Sequence, residues 1–116
     1  KFSKINLIPQ RGNFTRGIFL TCYTKFKYDL SYVKKIFEDY YKNEPFTIIS
    51  ENEITLKQVV NTNNCVIHLH KYKEKLLITG ALDNLLKGAS GQAIQNLNII
   101  MGWSEKLGLE FKANIF

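Results

Sequence analysis

The chain predicts an α+β fold in which a mainly antiparallel sheet carries its helices on one face. Two observations lead there. Runs rich in β-branched and aromatic residues are interleaved with two stretches of helical period, and the links between runs are hairpin-like, not repeated βαβ crossovers. Length sets the scale: 116 residues hold a single domain, 1–116, whose modest core buries about two-thirds of the extended surface.

Taken in order, Phe2 to Ile8 has the mixed polar and apolar character of an edge strand that stops at Pro9, and Gln10 to Asn13 is a polar loop. Gly17 to Phe26 reads as a long strand. Asp29 or Ser31 caps a helix whose apolar positions Tyr32, Val33, Ile36, Phe37, Tyr40 and Tyr41 follow helical spacing, so the aromatic stripe is expected in the core. Phe46 to Ile49 is a short strand. Ser50 to Asn64 is a polar connection with a strand or turn near Leu56 to Val60. Cys65 to Tyr72 and Lys75 to Leu82 form a hairpin around Lys73-Glu74. The final segment 108–116 is a tail that packs or adds a strand.

The second helix is the most informative element. It is entered through Asp83-Asn84-Leu85-Leu86, and no charged residue occurs between Lys87 and Glu105. At about 100° per residue, Ala89, Ala93, Ile94, Leu97, Ile100 and Met101 share one sector, while Gly91, Gln92, Gln95, Asn96, Asn98 and Gly102, joined by Ile99, share the opposite one. The expectation is that the apolar sector faces the domain's own core and the amide sector is free for a second body. Burying Ile94, Leu97, Ile100 and Met101 would contribute about 6–12 kcal/mol. Gly88, Ala89 and Gly91 either leave the first-turn N–H groups open to an anion or carboxamide, or are small because the helix start packs tightly.

Composition narrows the function classes. A hydrophobic fraction of 45% and a charged fraction of 22% are those of an ordinary soluble globular protein. No run of about 18 apolar residues suggests a membrane span, and Lys1-Phe2-Ser3-Lys4 has no signal-peptide character. A reduced, cytoplasmic setting is expected, with Cys22 and Cys65 as small core residues. The net charge of +6 comes from Lys and Arg scattered along the chain, which fits a solvated surface better than a nucleic-acid patch; the aromatic and basic tract Phe19 to Tyr28 fits no ribonucleoprotein consensus. His68 and His70 share one strand face, but no third ligand accompanies them, so no metal site is expected. Arg11 and Arg16 sit where a strand breaks and resumes; each offers a planar fork suited to phosphate, and Arg16 equally suits a carboxylate at a sheet edge.

The stretch Asp83 to Asn96, with Leu7-Ile8-Pro9-Gln10, Thr15-Arg16-Gly17-Ile18, Asn43-Glu44-Pro45-Phe46 and Asn61-Thr62-Asn63-Asn64-Cys65, closely resembles the C-terminal part of the N-acetyl-gamma-glutamyl-phosphate reductases. Asn6 stands where that pattern often has His, and Arg11 to Phe14 looks like an insertion. The resemblance implies a domain like the C-terminal domain of glyceraldehyde-phosphate dehydrogenase-like enzymes. It would be the substrate and dimerisation domain of a larger NADP-dependent reductase, homo-oligomeric, whose Rossmann domain lies outside this chain. The family's catalytic cysteine stands in an Asn-Pro-Gly-Cys context that this chain lacks, so the resemblance implies no catalytic residue here and no turnover by the domain alone. It further implies cofactor-side contacts by Gln92, Lys87, Gly88 and Ala89, and acyl-phosphate contacts by Arg16 and Arg11. Aspartate-semialdehyde dehydrogenase, which shares an Asp-Asn-Leu-x-Lys-Gly-Ala approach, and a non-enzymatic basic binding module are the alternatives.

Overall fold

A computed structural model describes residues 4–113. The element order is β1 (Ile18–Lys25), α1 (Leu30–Tyr41), β2 (Thr47–Ser50), a 3-10 turn (Leu56–Gln58), β3 (Cys65–Tyr72), β4 (Lys75–Leu82), a π-helical turn (Leu86–Ser90) and α2 (Gly91–Ile100). The sheet runs β1-β4-β3-β2. The β3–β4 hairpin forms as its alternation predicts, with the turn residue Lys73 at φ 52°, and β1 pairs with β4 antiparallel. β2 instead lies parallel to β3, so the sheet is mixed. The connection 51–64 is what makes this possible, because it returns the chain to the end from which β2 started.

Register fixes two faces. On one, Leu20, Gly80, Ile67 and Ile49 form a row, as do Cys22, Ile78 and Leu69; α1 covers the β3 side of this face, and Val33, Leu69 and Leu76 are its buried centre. Only part of the predicted α1 stripe is core: Val33 is buried and Phe37 packs beside it, whereas Tyr32, Ile36 and Tyr40 are exposed. α1 lies over β2 and β3, so its outer flank meets no second layer. For the same reason Cys22, on the far strand β1, is exposed, contrary to its expected place in the core.

The opposite face carries the rows Phe19–Ala81–Val66–Ile48, Thr21–Thr79–His68–Ser50, Tyr23–Leu77–His70 and Lys25–Lys75–Tyr72. Ile54 and Val59, from the 51–64 connection, cover Val66 and Ala81 at one end. The remainder of the face is open, with Tyr23 and Tyr72 largely exposed.

The expected strand over 2–8 does not form across residues 4–8; residues 2 and 3 lie outside the described residues. Ile5, Leu7 and Ile8 are exposed. At the other end Leu109 is fully buried and the described part of the tail adds no strand; residues 114–116 lie outside the described residues. The chain exposes 9244 Å², against about 6500 Å² for a compact monomer of this mass. Open faces and the extended 4–17 segment account for the excess.

Candidate functional site

Three of the segments that carry the sequence signature, 15–18, 61–65 and 83–96, meet at Asp83. This carboxylate is fully buried, and Arg16 Nη2 lies 3.0 Å from its Oδ1 and 2.9 Å from its Oδ2. Asn61, held at φ 65°, donates its N–H to Oδ2 at 2.7 Å, while Leu85 and Leu86 donate theirs to Oδ1 at 2.8 and 3.1 Å. Burial alone would raise the Asp83 carboxyl; the donors from Asn61, Arg16, Leu85 and Leu86 outweigh it and hold the group below the ordinary carboxylate range. The first N–H groups of the helical run are therefore occupied by the chain's own anion, which answers the question left open by the small-residue helix start.

Next to Asp83, Asn84 Oδ1 accepts the N–H of Gly17 at 2.6 Å. Gly17 has φ +114°, and a Cβ there would meet Leu56 Cδ2 at 2.7 Å, so only glycine turns the chain into β1 at this point. The N–H of Gly88 reaches the Asp83 carbonyl and that of Ser90 reaches Leu85, the wide spacing of a π turn.

The α2 helix differs from the expectation: Gly91, Gln95 and Asn98 turn inward, Gln92, Asn96 and Gly102 stay exposed, and the apolar sector is open. Asn63 Nδ2 and Lys87 Nζ both donate to Gln95 Oε1, at 3.0 and 2.7 Å, and Gln95 Nε2 donates to Glu105 at 2.6 Å. Asn98, 2% exposed, donates to the carbonyls of Glu105 and Leu107 at 3.3 and 2.9 Å. Gly91 is buried against Asn63, whose Oδ1 would lie 2.2 Å from a Cβ there. Tight packing is thus the reason for glycine at position 91. Ile94, Leu97, Ile100 and Met101 are 42%, 49%, 80% and 53% exposed. The physical reason is polar satisfaction: buried amides that find partners cost little, and the apolar stripe is left exposed.

The sequence-predicted contact residues are distributed around this core. Gln92 is exposed, and among the described residues its carboxamide meets only the Gly88 carbonyl, at 3.4 Å. Gly88 and Ala89 are exposed on the same turn. Lys87 is half-buried, its ammonium on Gln95 and 5.6 Å from the Phe46 ring centre; burial lowers its basicity, opposed by Cys65, Glu105 and Glu44. Cys65 is half-buried, and burial raises its thiol despite the nearby Lys87. Arg11 is exposed in the loop before β1.

The model of the semialdehyde dehydrogenase dimerisation domain matches residues 1–84. The chain belongs to that family. Among curated relatives of this dimerisation domain, the N-acetyl-gamma-glutamyl-phosphate reductase of Christiangramia forsetii is 55% identical over 114 residues, covering 98% of this chain and 36% of the relative. The proteins of the same name from Azobacteroides pseudotrichonymphae and Parabacteroides distasonis are each 54% identical over 114 residues. The dimerisation domain spans about a third of their length. Among the described residues, no helix is long and apolar enough to cross a membrane, and no group of three or more His, Cys, Asp or Glu could hold a metal ion.

Asp83, Asn61, Asn63 and Glu105 are the site residues that sequence reasoning did not single out for a role; Gln95 and Asn98 were expected on an outward amide face and turn inward instead. A signal existed for the first: an Asp just before a helical run commonly accepts from the backbone N–H groups two and three residues on, here Leu85 and Leu86.

Proposed function

We propose that this domain is the substrate and dimerisation part of a cytoplasmic NADP-dependent reductase that converts N-acetyl-glutamyl 5-phosphate to N-acetyl-glutamate 5-semialdehyde and phosphate. The carrying observation is 55% identity over 98% of the chain to a protein named for that reaction. On this reading the Rossmann domain and the reactive cysteine lie in the part of the protein outside this chain. NADPH, when bound, supplies the hydride that reduces the thioester formed on that cysteine.

The chain's own residues position, bind and orient. Gln92 presents a nearly free carboxamide on the exposed side of the π turn, a fit for a neutral amide such as that of nicotinamide. Gly88 and Ala89 allow close approach beside it, and Lys87 shapes the turn from inside through Gln95. Arg16, already neutralised by Asp83, offers only its remaining N–H donors to an acyl phosphate, and Arg11, exposed in the same loop, supplies the uncompensated positive charge. The exposed α2 stripe is the surface for the Rossmann domain.

The open sheet face is the surface for self-association. It measures at most about 19 by 26 Å from strand spacing and rise, about 490 Å² in projection, so it forms part of an interface of about 800 Å² per partner and not the whole. Its exposed aromatics supply the apolar area.

The test uses the full-length protein with NADPH. Turnover of N-acetylglutamyl phosphate is expected; activity on aspartyl phosphate alone would move the domain to aspartate-semialdehyde dehydrogenase. Gln92→Ala should weaken NADPH-dependent turnover, and unchanged kinetics would remove Gln92 from the site.

A further inference from the structure

Asp83 and Asn84 tie together two segments of the chain that lie 67 residues apart in sequence. Toward β1 they act as a pair: the Asp83 carboxylate holds Arg16, and Asn84 Oδ1 accepts the N–H of Gly17 at 2.6 Å. Toward α2, Asp83 alone takes three N–H groups, those of Leu85 and Leu86 on its carboxylate and that of Gly88 on its carbonyl, 2.9 Å away. An ionised carboxylate has about four lone-pair sites, and Arg16, Asn61, Leu85 and Leu86 fill them. Asp83 is fully buried, so it has neither the exposure to touch a substrate nor a free lone pair to take a proton. Its action is confined to fixing its partners. Arg16 gives Asp83 only Nη2, and its side chain is 28% exposed, so the guanidinium is anchored at one nitrogen without being used up.

We propose that Asp83 and Asn84 are positioning residues for the reductase reaction, the pair setting the distance between the loop that meets the acyl phosphate and the turn that meets the cofactor. This rests on the reading given above, in which Arg16 contacts the substrate and the turn Leu86–Ser90, with Gln92, faces NADPH. Neither segment is fixed by the sheet itself: Arg16 precedes β1 and the turn follows β4. Ile18 pairs with Leu82, so the two loops leave the sheet side by side at one end, and without a tie each would swing on its own. Groups delivered from two loops must hold register closely, because a misplacement of about 1 Å costs about 100-fold in rate. A saturated, buried carboxylate and the amide beside it supply that register from the folded domain, before any ligand arrives. Gly17, at φ 114°, is the softest point of the substrate loop, and the Asn84 bond falls on it.

The experiment is steady-state kinetics of the full-length protein, with kcat expressed per reactive thiol titrated so that any loss of folded enzyme drops out. Asp83→Asn loses too much stability to be informative, whereas Asn84 is half-buried and contributes one hydrogen bond to this tie, so Asn84 carries the test. Expected for Asn84→Ala is a fall in kcat of about 10- to 100-fold, with the KM of N-acetylglutamyl phosphate and that of NADPH each within about threefold of wild type. Asn84→Asp restores an acceptor oxygen for Gly17 and should recover most of kcat. In an Arg16→Lys background, which keeps a counter-ion for Asp83 but not the planar fork, Asn84→Ala should cost less than about threefold further, because the two act through one loop. An Asn84→Ala enzyme with wild-type kcat or a loss confined to KM, an Asn84→Asp enzyme as slow as Asn84→Ala, or an undiminished loss in the Arg16→Lys background overturns the positioning role and leaves the reductase reading intact. Wild-type protein that does not turn over N-acetylglutamyl phosphate, or Arg16→Lys with unaltered kinetics, overturns that reading and the positioning role with it.

Discussion

Replacing Gly91 by Ala tests the packing of α2 directly. The added Cβ would sit 2.2 Å from Asn63 Oδ1 and 2.9 Å from the carbonyl carbon and oxygen of Leu86. Asn63 is 1% exposed and tied to Gln95, and the Leu86 atoms are backbone, so neither neighbour yields cheaply. Overpacking of this kind costs about 1–3 kcal/mol, while alanine returns up to about 1 kcal/mol of helix propensity. The clash is deep enough to place the net loss at about 1–2 kcal/mol, or about 4–8 °C in Tm for a chain of this size. Gly88→Ala is the internal control. Its Cβ would lie 3.5 Å from the Asp83 carbonyl oxygen and from Leu82 Cδ1, ordinary contacts, so Tm should hold or rise by about 2–4 °C. Thermal unfolding followed by circular dichroism measures both. Adding Asn63→Ala to Gly91→Ala should recover part of the loss as a coupling energy of about 1 kcal/mol. A Gly91→Ala protein as stable as wild type would refute the argument that glycine is required by the Asn63 approach.

Asp83→Asn should destabilise the domain by about 3–5 kcal/mol, because it leaves Arg16 without its counter-ion and turns an amide donor toward backbone N–H groups; urea denaturation with an unchanged midpoint would contradict this. The Asp83 carboxyl is held below its unfolded value, so its contribution is present above the unfolded pKa and disappears as pH falls through the folded one; the midpoint of wild type should drop on acidification below about pH 4, and that of Asp83→Asn much less. Ile100→Ser, at a position 80% exposed, should change the stability of this chain by less than about 0.5 kcal/mol; a loss of several kcal/mol would return the apolar stripe to the core. Asn98→Leu should cost about 1–3 kcal/mol by leaving the Glu105 and Leu107 carbonyls unpaired, seen as faster amide exchange across 104–109, and unaltered exchange would deny Asn98 its anchoring role.

Elements whose partners are local in sequence were the legible ones. The β3–β4 hairpin follows from alternation on either side of a two-residue turn, and α1 follows from its period. The parallel pairing of β2 with β3 was not legible, because a four-residue strand names no partner and the crossover has little helical signal of its own. Residues 4–8 have strand-like composition, but composition does not supply a neighbouring edge. In α2 the apolar sector, expected inward, is open, while of the expected amide sector only Gly91, Gln95 and Asn98 turn inward and Gln92, Asn96 and Gly102 do not. The rule that apolar sectors turn inward assumes water outside; Gln95 and Asn98 instead find partners at Asn63, Glu105 and Leu107, segments distant enough that no local pattern announces them. The convergence of Arg16, Asn61 and Asp83 depends on β1 lying beside β4, so it appears only once the sheet is assembled.

The amide anchor of α2 also governs rotation about the helix axis. Rolling the helix to bring Ile94 and Leu97 inward would break the bonds of Gln95 to Asn63, Lys87 and Glu105 and those of Asn98 to Glu105 and Leu107, about 5 kcal/mol at a typical net value per bond. It would also swing a side chain into the space that only Gly91 leaves open. The helix is therefore clamped in azimuth before any second surface arrives, and its apolar ridge stands ready-aligned. The entropy of orienting it is spent when the domain folds, so docking starts from a rigid template.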